Sequence, residues 1–224
     1  LAVKRSRLSV EILKRPSDND TKYDLFQRLN AGGIAANAQE LRNCIMIMVN
    51  NQYAAFVRNL ADSHPFLSVL AASDDQIEKQ RHMEYATRFL VYTYIPYDGK
   101  LDVEEYIDSG IVTLATANET QQAGTTFSAT FNLLNQAFGE NALRRIQNGG
   151  PVGRVGLAAF ECIAVGVAKN ITNIQGKENP VEYVRQRIEE FWVKDEVQNF
   201  FTSGLRGTTR IQRTVPFGAE WFAV

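Results

Sequence analysis

The chain has 224 residues, of which 45% are apolar and 22% charged, and its 24 basic and 25 acidic side chains give a net charge of −1. This composition is typical of a globular protein with one large or two small domains. The balanced charge argues against a strongly basic nucleic-acid binder but does not exclude local basic patches. Two cysteines in apolar surroundings argue against a disulfide scaffold and favour a reducing, cytoplasmic location. No apolar run reaches the ~20 residues that a membrane-spanning helix needs, so no membrane partner is expected.

The first predicted element is a strand over residues 7–13, where apolar and polar residues alternate in RLSVEIL. Pro16 and the polar residues after it end the strand. No second convincing strand follows before the C-terminal tail, and a single strand is not stable by itself. We therefore expect its partner strands to precede Leu1, which would make the chain a fragment of a longer protein.

The rest of the chain is predicted to be mainly helical, because capping side chains recur three residues before an acid or amide. These pairs are Asn37 with Glu40, Ser73 with Gln76, Asp102 with Glu105, Asn118 with Gln121, Asn179 with Glu182, and Asp195 with Gln198. The predicted helices lie near 20–30, 38–50, 52–62, 74–95, 103–117, 119–138, 154–170, 180–193 and 196–202. The tail is predicted to be an extended arm or a small hairpin, because it contains turn residues and short β-prone pieces.

Two glycines, Gly32 and Gly33, interrupt the helical pattern before a new helix begins after Asn37. Glycines let a ligand approach the backbone closely, and the free N–H groups at the start of the next helix attract anions. Arg28 and Arg42 flank this corner and can contact phosphate in a bidentate way. The alternative is an ordinary corner between two helices, with a glycine C-cap and an asparagine N-cap. On the residues alone the ordinary corner is favoured.

Four charged residues stand out in the C-terminal half. Glu161 is the only charge in the apolar stretch 155–168, so it is either a buried acid of catalytic value or, as we favour, the ion-pair partner of an arginine from the tail. Arg206, Arg210 and Arg213 either contact phosphates of nucleic acid or nucleotide, or belong to a solvated arm held through that glutamate.

Signatures of hydrolases and metal sites are absent from the sequence. The two histidines, His64 and His82, lie far apart, and neither has the spacing of a metal-binding pair. There is no Walker loop and no G-x-S-x-G motif. The acidic residues over 98–108 are better explained by a capped, solvated helix start than by Mg²⁺ binding. The sequence thus predicts no catalytic residue, no metal site and no cofactor in this chain itself.

Around the glycine corner, the segment YDLFQRLNAGGIAANAQELRNCIMIMVNN resembles the pattern of the GmrSD-type family, which occurs in DNA restriction and phage-defence systems. The matching positions are Phe26, Arg28, Leu29, Asn30, Gly32, Gly33, Gln39, Glu40, Arg42 and Asn43. Ala36 departs from the family's usual leucine. Two later segments, AAFECIAVG and GLRGTTRIQRTVPFGAEWF, are similar to the helical half and tail of stand-alone members, so the resemblance extends over nearly the whole chain.

The resemblance implies a fold that is mainly α, with a small α/β remnant of one or two strands from a ParB/sulfiredoxin-like core at the N-terminus. The implied boundaries are 1–36 for the remnant of this nucleotide-binding core, 37–204 for a helical domain and 205–224 for a C-terminal arm. The family's Asp-Gly-Gln-Gln-Arg motif for NTP hydrolysis and its HNH nuclease domain do not occur in these residues.

In function, the resemblance implies a fragment of a nucleotide-dependent DNA restriction or phage-defence protein that uses NTP with Mg²⁺. DNA and a nuclease subunit or domain are the implied partners, and this chain alone is not expected to hydrolyse NTP. The corner would form the wall of the nucleotide pocket, or the hinge between that pocket and the helical body; its residues are Arg28, Asn30, Gly32, Gly33, Gln39, Arg42 and Asn43. The alternative is a non-catalytic helical protein-interaction module in which the two glycines only turn the chain.

Overall fold

The computed structural model describes residues 37–147, 150–201 and 204–224. These residues are mainly helical, as predicted, and their only sheet is a two-stranded antiparallel one. The strand predicted at 7–13, the helix predicted at 20–30 and the glycine corner lie outside the described residues.

The helices follow one another with short connections, and we number them in chain order. The first seven are α1 (Ala38–Val49), α2 (Asn51–Ala61), α3 (His64–Val69), α4 (Asp74–Glu78), α5 (Arg81–Tyr94), α6 (Val103–Ala117) and α7 (Thr120–Phe138). A short 3₁₀ turn (Gly139–Asn141) leads to the hairpin of β1 (Arg145–Gln147) and β2 (Gly150–Val152), in which Ile146 is paired with Pro151.

After the hairpin, the chain is again helical. A continuous helical run consists of α8 (Leu157–Ala159), a π-helical turn (Phe160–Ala164) and α9 (Val165–Lys169). It is followed by α10 (Ile171–Gln175), α11 (Pro180–Val193), α12 (Asp195–Gln198), a 3₁₀ turn (Asn199–Phe201) and α13 (Gly207–Trp221).

A cluster of phenylalanines forms the centre of the core. Phe66, Phe89, Phe127, Phe131 and Phe160 are each at most 1% exposed and come from α3, α5, α7 and the π-helical turn. Their rings meet mainly in tilted or edge-to-face arrangements, with centroids 4.6 Å apart for Phe66 and Phe131 and 4.5 Å for Phe127 and Phe131. Such pairs contribute about 0.5–1.5 kcal/mol each beyond the burial of their area. The cluster therefore fixes the central helices against one another.

Local capping chemistry places several helix starts where the sequence predicts them. The Asp102 carboxylate accepts from the backbone N–H of Glu105 at 2.9 Å, and the Asn179 side chain accepts from the N–H of Glu182 at 3.2 Å. Asn118 is different, because it ends α6 in the left-handed conformation with φ of 55°. The predicted N-cap at Asn118 is therefore wrong, and so is the one at Asp195, which lies inside α12.

The tail is the largest correction to the predicted secondary structure. Residues Gly207–Trp221 form helix α13 and not an extended arm or hairpin. This helix packs on the run 157–169 in direct backbone contact, since a Cβ on Gly218 would lie 2.2 Å from the carbonyl oxygen of Cys162. Residues 38–224, including this helix, form one compact unit. The tail is thus part of the helical body.

Candidate functional site

Helix α1 carries the second half of the corner motif, and its arginine faces the helical body. Arg42 is 1% exposed, its Nε donates to Asp108 Oδ1 at 2.7 Å, and its Nη2 donates to Glu104 Oε2. Both carboxylates belong to α6. The charge of Arg42 is therefore matched by two acids within the chain, and its contact with a nucleotide phosphate stays a prediction.

A second buried arginine extends this ion-pair network. Arg88 of α5 is 5% exposed and donates to Glu84 Oε1 at 3.0 Å, to the Tyr92 hydroxyl at 2.9 Å and to Glu104 Oε1 at 3.1 Å. Partial burial acts to raise the pKa of Glu104, but hydrogen bonds and charges from Arg42 and Arg88 hold it below its ordinary value. Glu104 thus stays ionised and links α1, α5 and α6.

The two amide side chains of the motif also contact the body. Gln39 is 4% exposed, and its Nε2 donates to Asn43 Oδ1 at 2.9 Å and to Thr87 Oγ1 at 3.3 Å. Asn43 Nδ2 donates to Gln80 Oε1, just before α5. Gln39, Arg42 and Asn43 therefore fasten the helix that follows the corner to α5 and α6.

The other predicted residues of the corner are Arg28, Asn30, Gly32 and Gly33, and they lie outside the described residues. Their approach to a phosphate, and their role as pocket wall or hinge, stay predictions.

Glu161 is paired with an arginine of the tail, which is the favoured of the two interpretations from the sequence. It is 0% exposed and lies in the π-helical turn, where Arg210 Nε donates to Oε1 at 3.1 Å and to Oε2 at 3.0 Å. The Thr214 hydroxyl donates to Oε2 at 2.7 Å. Burial raises the pKa of Glu161, and the bonds from Arg210 and Thr214 oppose that rise. The arrangement holds α13 on the π-helical turn.

The remaining tail arginines are exposed but lie in different surroundings. Arg206 immediately precedes α13, whereas Arg213 lines a surface cavity of about 440 Å³ together with Glu196 and Glu220. Two glutamates beside Arg213 disfavour a phosphate there. Because Arg210 is already paired with Glu161, the described tail does not offer three available arginines to a nucleic acid.

A cavity of about 390 Å³ is lined by three arginines and a single carboxylate among the described residues, and we call it the basic cavity. Its walls come from the α3–α4 connection with the start of α4, from the start of α5, and from the residues on either side of the hairpin, namely Arg144 and 153–155. Charged or aromatic lining residues are Asp75, Arg81, His82, Tyr85, Arg144 and Arg154. Sequence reasoning missed this site, since its arginines are spread over 81–154; the one local signal was that Arg144 and Arg154 lie on either side of a glycine-rich segment.

A larger groove of about 860 Å³ runs between the start of α7 and α10. Its polar lining is made mostly of uncharged threonine, glutamine and asparagine side chains, with Glu119 as its one charged residue among those described. A single carboxylate gives the described part of this groove neither a phosphate site nor a pair of groups for acid–base chemistry.

Comparisons with protein-family models, curated proteins and solved structures find no match to this chain.

Among the described residues, no three histidine, cysteine or acidic side chains are grouped so that they could hold a metal ion. Within the same ranges, every helix is too short or too polar to cross a membrane.

Proposed function

We propose that this chain is the helical body of a nucleotide-dependent DNA restriction or phage-defence protein. In this proposal the second half of the corner motif fixes the nucleotide-binding part of the protein to that body. Support comes from the resemblance of residues 23–51 to the GmrSD-type pattern and from the internal contacts of the motif residues on α1.

One observation carries the mechanical part of the proposal, namely the burial of Arg42 between two carboxylates of α6. A buried arginine is energetically costly unless it is paired and hydrogen-bonded. The ion pairs with Asp108 and Glu104 therefore account for an arginine at this buried position. Because α1 begins directly after the corner, movement of the corner would act on α5 and α6 through this helix. Nucleotide contact then belongs to the first half of the motif, at Arg28, Asn30 and the two glycines.

The test is a calorimetric titration of NTP with Mg²⁺ into the product of the complete reading frame that encodes this chain, which we call the extended protein. Arg28→Ala should weaken nucleotide binding, because it removes a phosphate contact. Arg42→Ala should leave the affinity nearly unchanged and lower the thermal stability, because it removes an internal ion pair. Arg58→Ala, an exposed arginine on α2, is the matched control and should change neither.

An extended protein that binds no NTP would contradict the proposal. So would an Arg42→Ala variant that loses as much nucleotide affinity as Arg28→Ala while its stability is unchanged. The second candidate is a non-catalytic helical interaction module, and the same pairing of Arg42 favours it, because an arginine that is paired within the body needs no ligand. The absence of NTP binding together with a stable fold would select the module.

A further inference from the structure

The basic cavity carries a positive charge that the described residues leave largely uncompensated. Arg144 donates only to neutral acceptors, the carbonyl oxygen of Gly153 at 3.1 Å and Asn141 Oδ1 at 3.2 Å. Arg154 is exposed and makes no hydrogen bond or ion pair with another described residue. Two arginines without a carboxylate partner among the described residues therefore line the same concave surface.

The third arginine is only partly neutralised. Arg81 Nη1 donates to Glu84 Oε2 at 3.2 Å, but Glu84 also accepts from the buried Arg88 at 2.9 Å. Asp75 is the one acid among the described lining residues, and it is already paired with Lys79 at 2.7 Å. The cavity thus has an excess of positive charge that an anion of two charges, or two neighbouring anionic groups, would balance.

A buried polar atom at the cavity gives an independent observation. His82 lines the cavity and is 6% exposed; its Nε2 lies 3.2 Å from Asp62 Oδ1, whereas its Nδ1 is buried without a hydrogen-bond partner among the described residues. A buried polar atom without a partner costs about 1–3 kcal/mol. When Nε2 donates to Asp62, Nδ1 is a donor only in the doubly protonated imidazole, and an anion in the cavity is an acceptor for that form of the ring.

We propose that the basic cavity binds a phosphate group of a nucleic acid or nucleotide, with Arg144 and Arg154 as its main contacts and Arg81 and His82 beside them. Planar guanidinium groups match the paired oxygens of phosphate and form charge-assisted hydrogen bonds with them. The cavity volume of about 390 Å³ also leaves room for the sugar that carries the phosphate. The proposal rests on the proposed function only in naming DNA as the first source of phosphate to test.

The experiment measures binding of a fluorescent DNA duplex to the 224-residue chain by anisotropy, with unlabelled ATP and inorganic phosphate as competitors. Arg154→Gln is the main variant, because it removes no hydrogen bond or ion pair between described residues, and Arg144→Gln/Arg154→Gln is the stronger one. Arg206→Gln/Arg213→Gln is the matched control, since it also removes two positive charges, but from exposed positions on the tail. Circular dichroism verifies that each variant is folded.

We expect Arg154→Gln to lower the affinity about tenfold and the double variant to lower it further, because each arginine makes a charge-assisted contact. The slope of log affinity against log salt should also become shallower by about 0.9 for each phosphate that the variant no longer neutralises. Competition by ATP or inorganic phosphate at the same site would identify a nucleotide as the source of phosphate. DNA binding that neither ATP nor inorganic phosphate displaces would identify the nucleic-acid backbone as the source.

The proposal is overturned if the tail control weakens binding as much as the cavity variant does, or if neither DNA, ATP nor phosphate binds. Its failure differs from a failure of the proposed function. If the extended protein binds NTP while Arg154→Gln leaves every phosphate affinity unchanged, only the cavity proposal fails. If the cavity binds phosphate while the extended protein shows no NTP binding, only the proposed function fails.

Discussion

Replacing Arg210 by methionine removes the positive charge beside the most deeply buried acid of the described chain. Methionine keeps much of the apolar stem of arginine, so the change acts mainly on charge and hydrogen bonding. Glu161 is 0% exposed, and the Arg210→Met variant would leave its carboxylate with one described hydrogen bond, from Thr214 at 2.7 Å. The perturbation therefore isolates the contribution of a single guanidinium.

The expected loss follows from the burial of Glu161. Removing one partner of a buried ion pair costs about 3–5 kcal/mol, which is a large part of the ~5–15 kcal/mol that stabilises a typical domain. Burial raises the pKa of Glu161, and Arg210 opposes that rise, so the pKa is higher still in the variant. A carboxyl group whose pKa is raised on folding favours the native state below its unfolded pKa, here 4.5, and loses that contribution as pH rises through the folded pKa. The deficit of Arg210→Met should thus be large at neutral pH and shrink towards pH 4.5.

The assay is urea unfolding followed by circular dichroism at neutral pH and near pH 4.5, with wild type and variant in parallel. Arg213→Met, an exposed arginine three residues further along α13, is the control and should change the free energy of unfolding by less than about 0.5 kcal/mol. Glu161→Gln combined with Arg210→Met should recover part of the loss, because no buried charge remains. A deficit below about 1 kcal/mol at neutral pH, or one that grows on acidification, would refute this reasoning.

Three further outcomes are expected. Arg42→Met should lower the free energy of unfolding by about 1.5–3 kcal/mol in urea titrations, because it removes hydrogen bonds to two carboxylates. Gly218→Ala should cost at least about 1–3 kcal/mol, since its Cβ would lie 2.2 Å from a backbone oxygen, whereas Gly156→Ala, with nothing within 4 Å, should cost much less in the same assay. Burial raises the pKa of the Cys162 thiol, so a thiol reagent should modify partly exposed Cys44 first and Cys162 only on unfolding.

Most helices could be predicted from the sequence because their starts are set by local chemistry. The side chains of Asp102 and Asn179 bond the N–H three residues ahead, and this spacing is visible in the sequence itself. Asn118 shows the limit of the method, since asparagine also adopts the left-handed conformation that ends a helix. Asn118 lies between two adjoining helices, and the sequence alone does not say whether it ends the first helix or begins the second.

Helix α13 and the basic cavity were missed because both depend on tertiary structure. The segment GTTRIQRTVPFGAEW contains glycine, threonine and a proline, which are poor helix formers, and packing of Gly218 on Cys162 outweighs that preference. The cavity brings Arg81 to residues after position 140, a proximity that no local pattern encodes. In contrast, the pairing of Glu161 was expected, because a single charge on an apolar helix requires a partner.

The central proposal is that α1 couples a nucleotide-binding part to this helical body, and it is tested most directly by NTP hydrolysis in the extended protein. The rate should be measured with and without duplex DNA for wild type and Arg42→Lys. The account predicts hydrolysis that DNA stimulates in the wild type and a smaller stimulation in Arg42→Lys, because lysine cannot bond Glu104 and Asp108 in the same way. An extended protein that hydrolyses no NTP, or an Arg42→Lys variant that DNA stimulates as strongly as wild type, would contradict it.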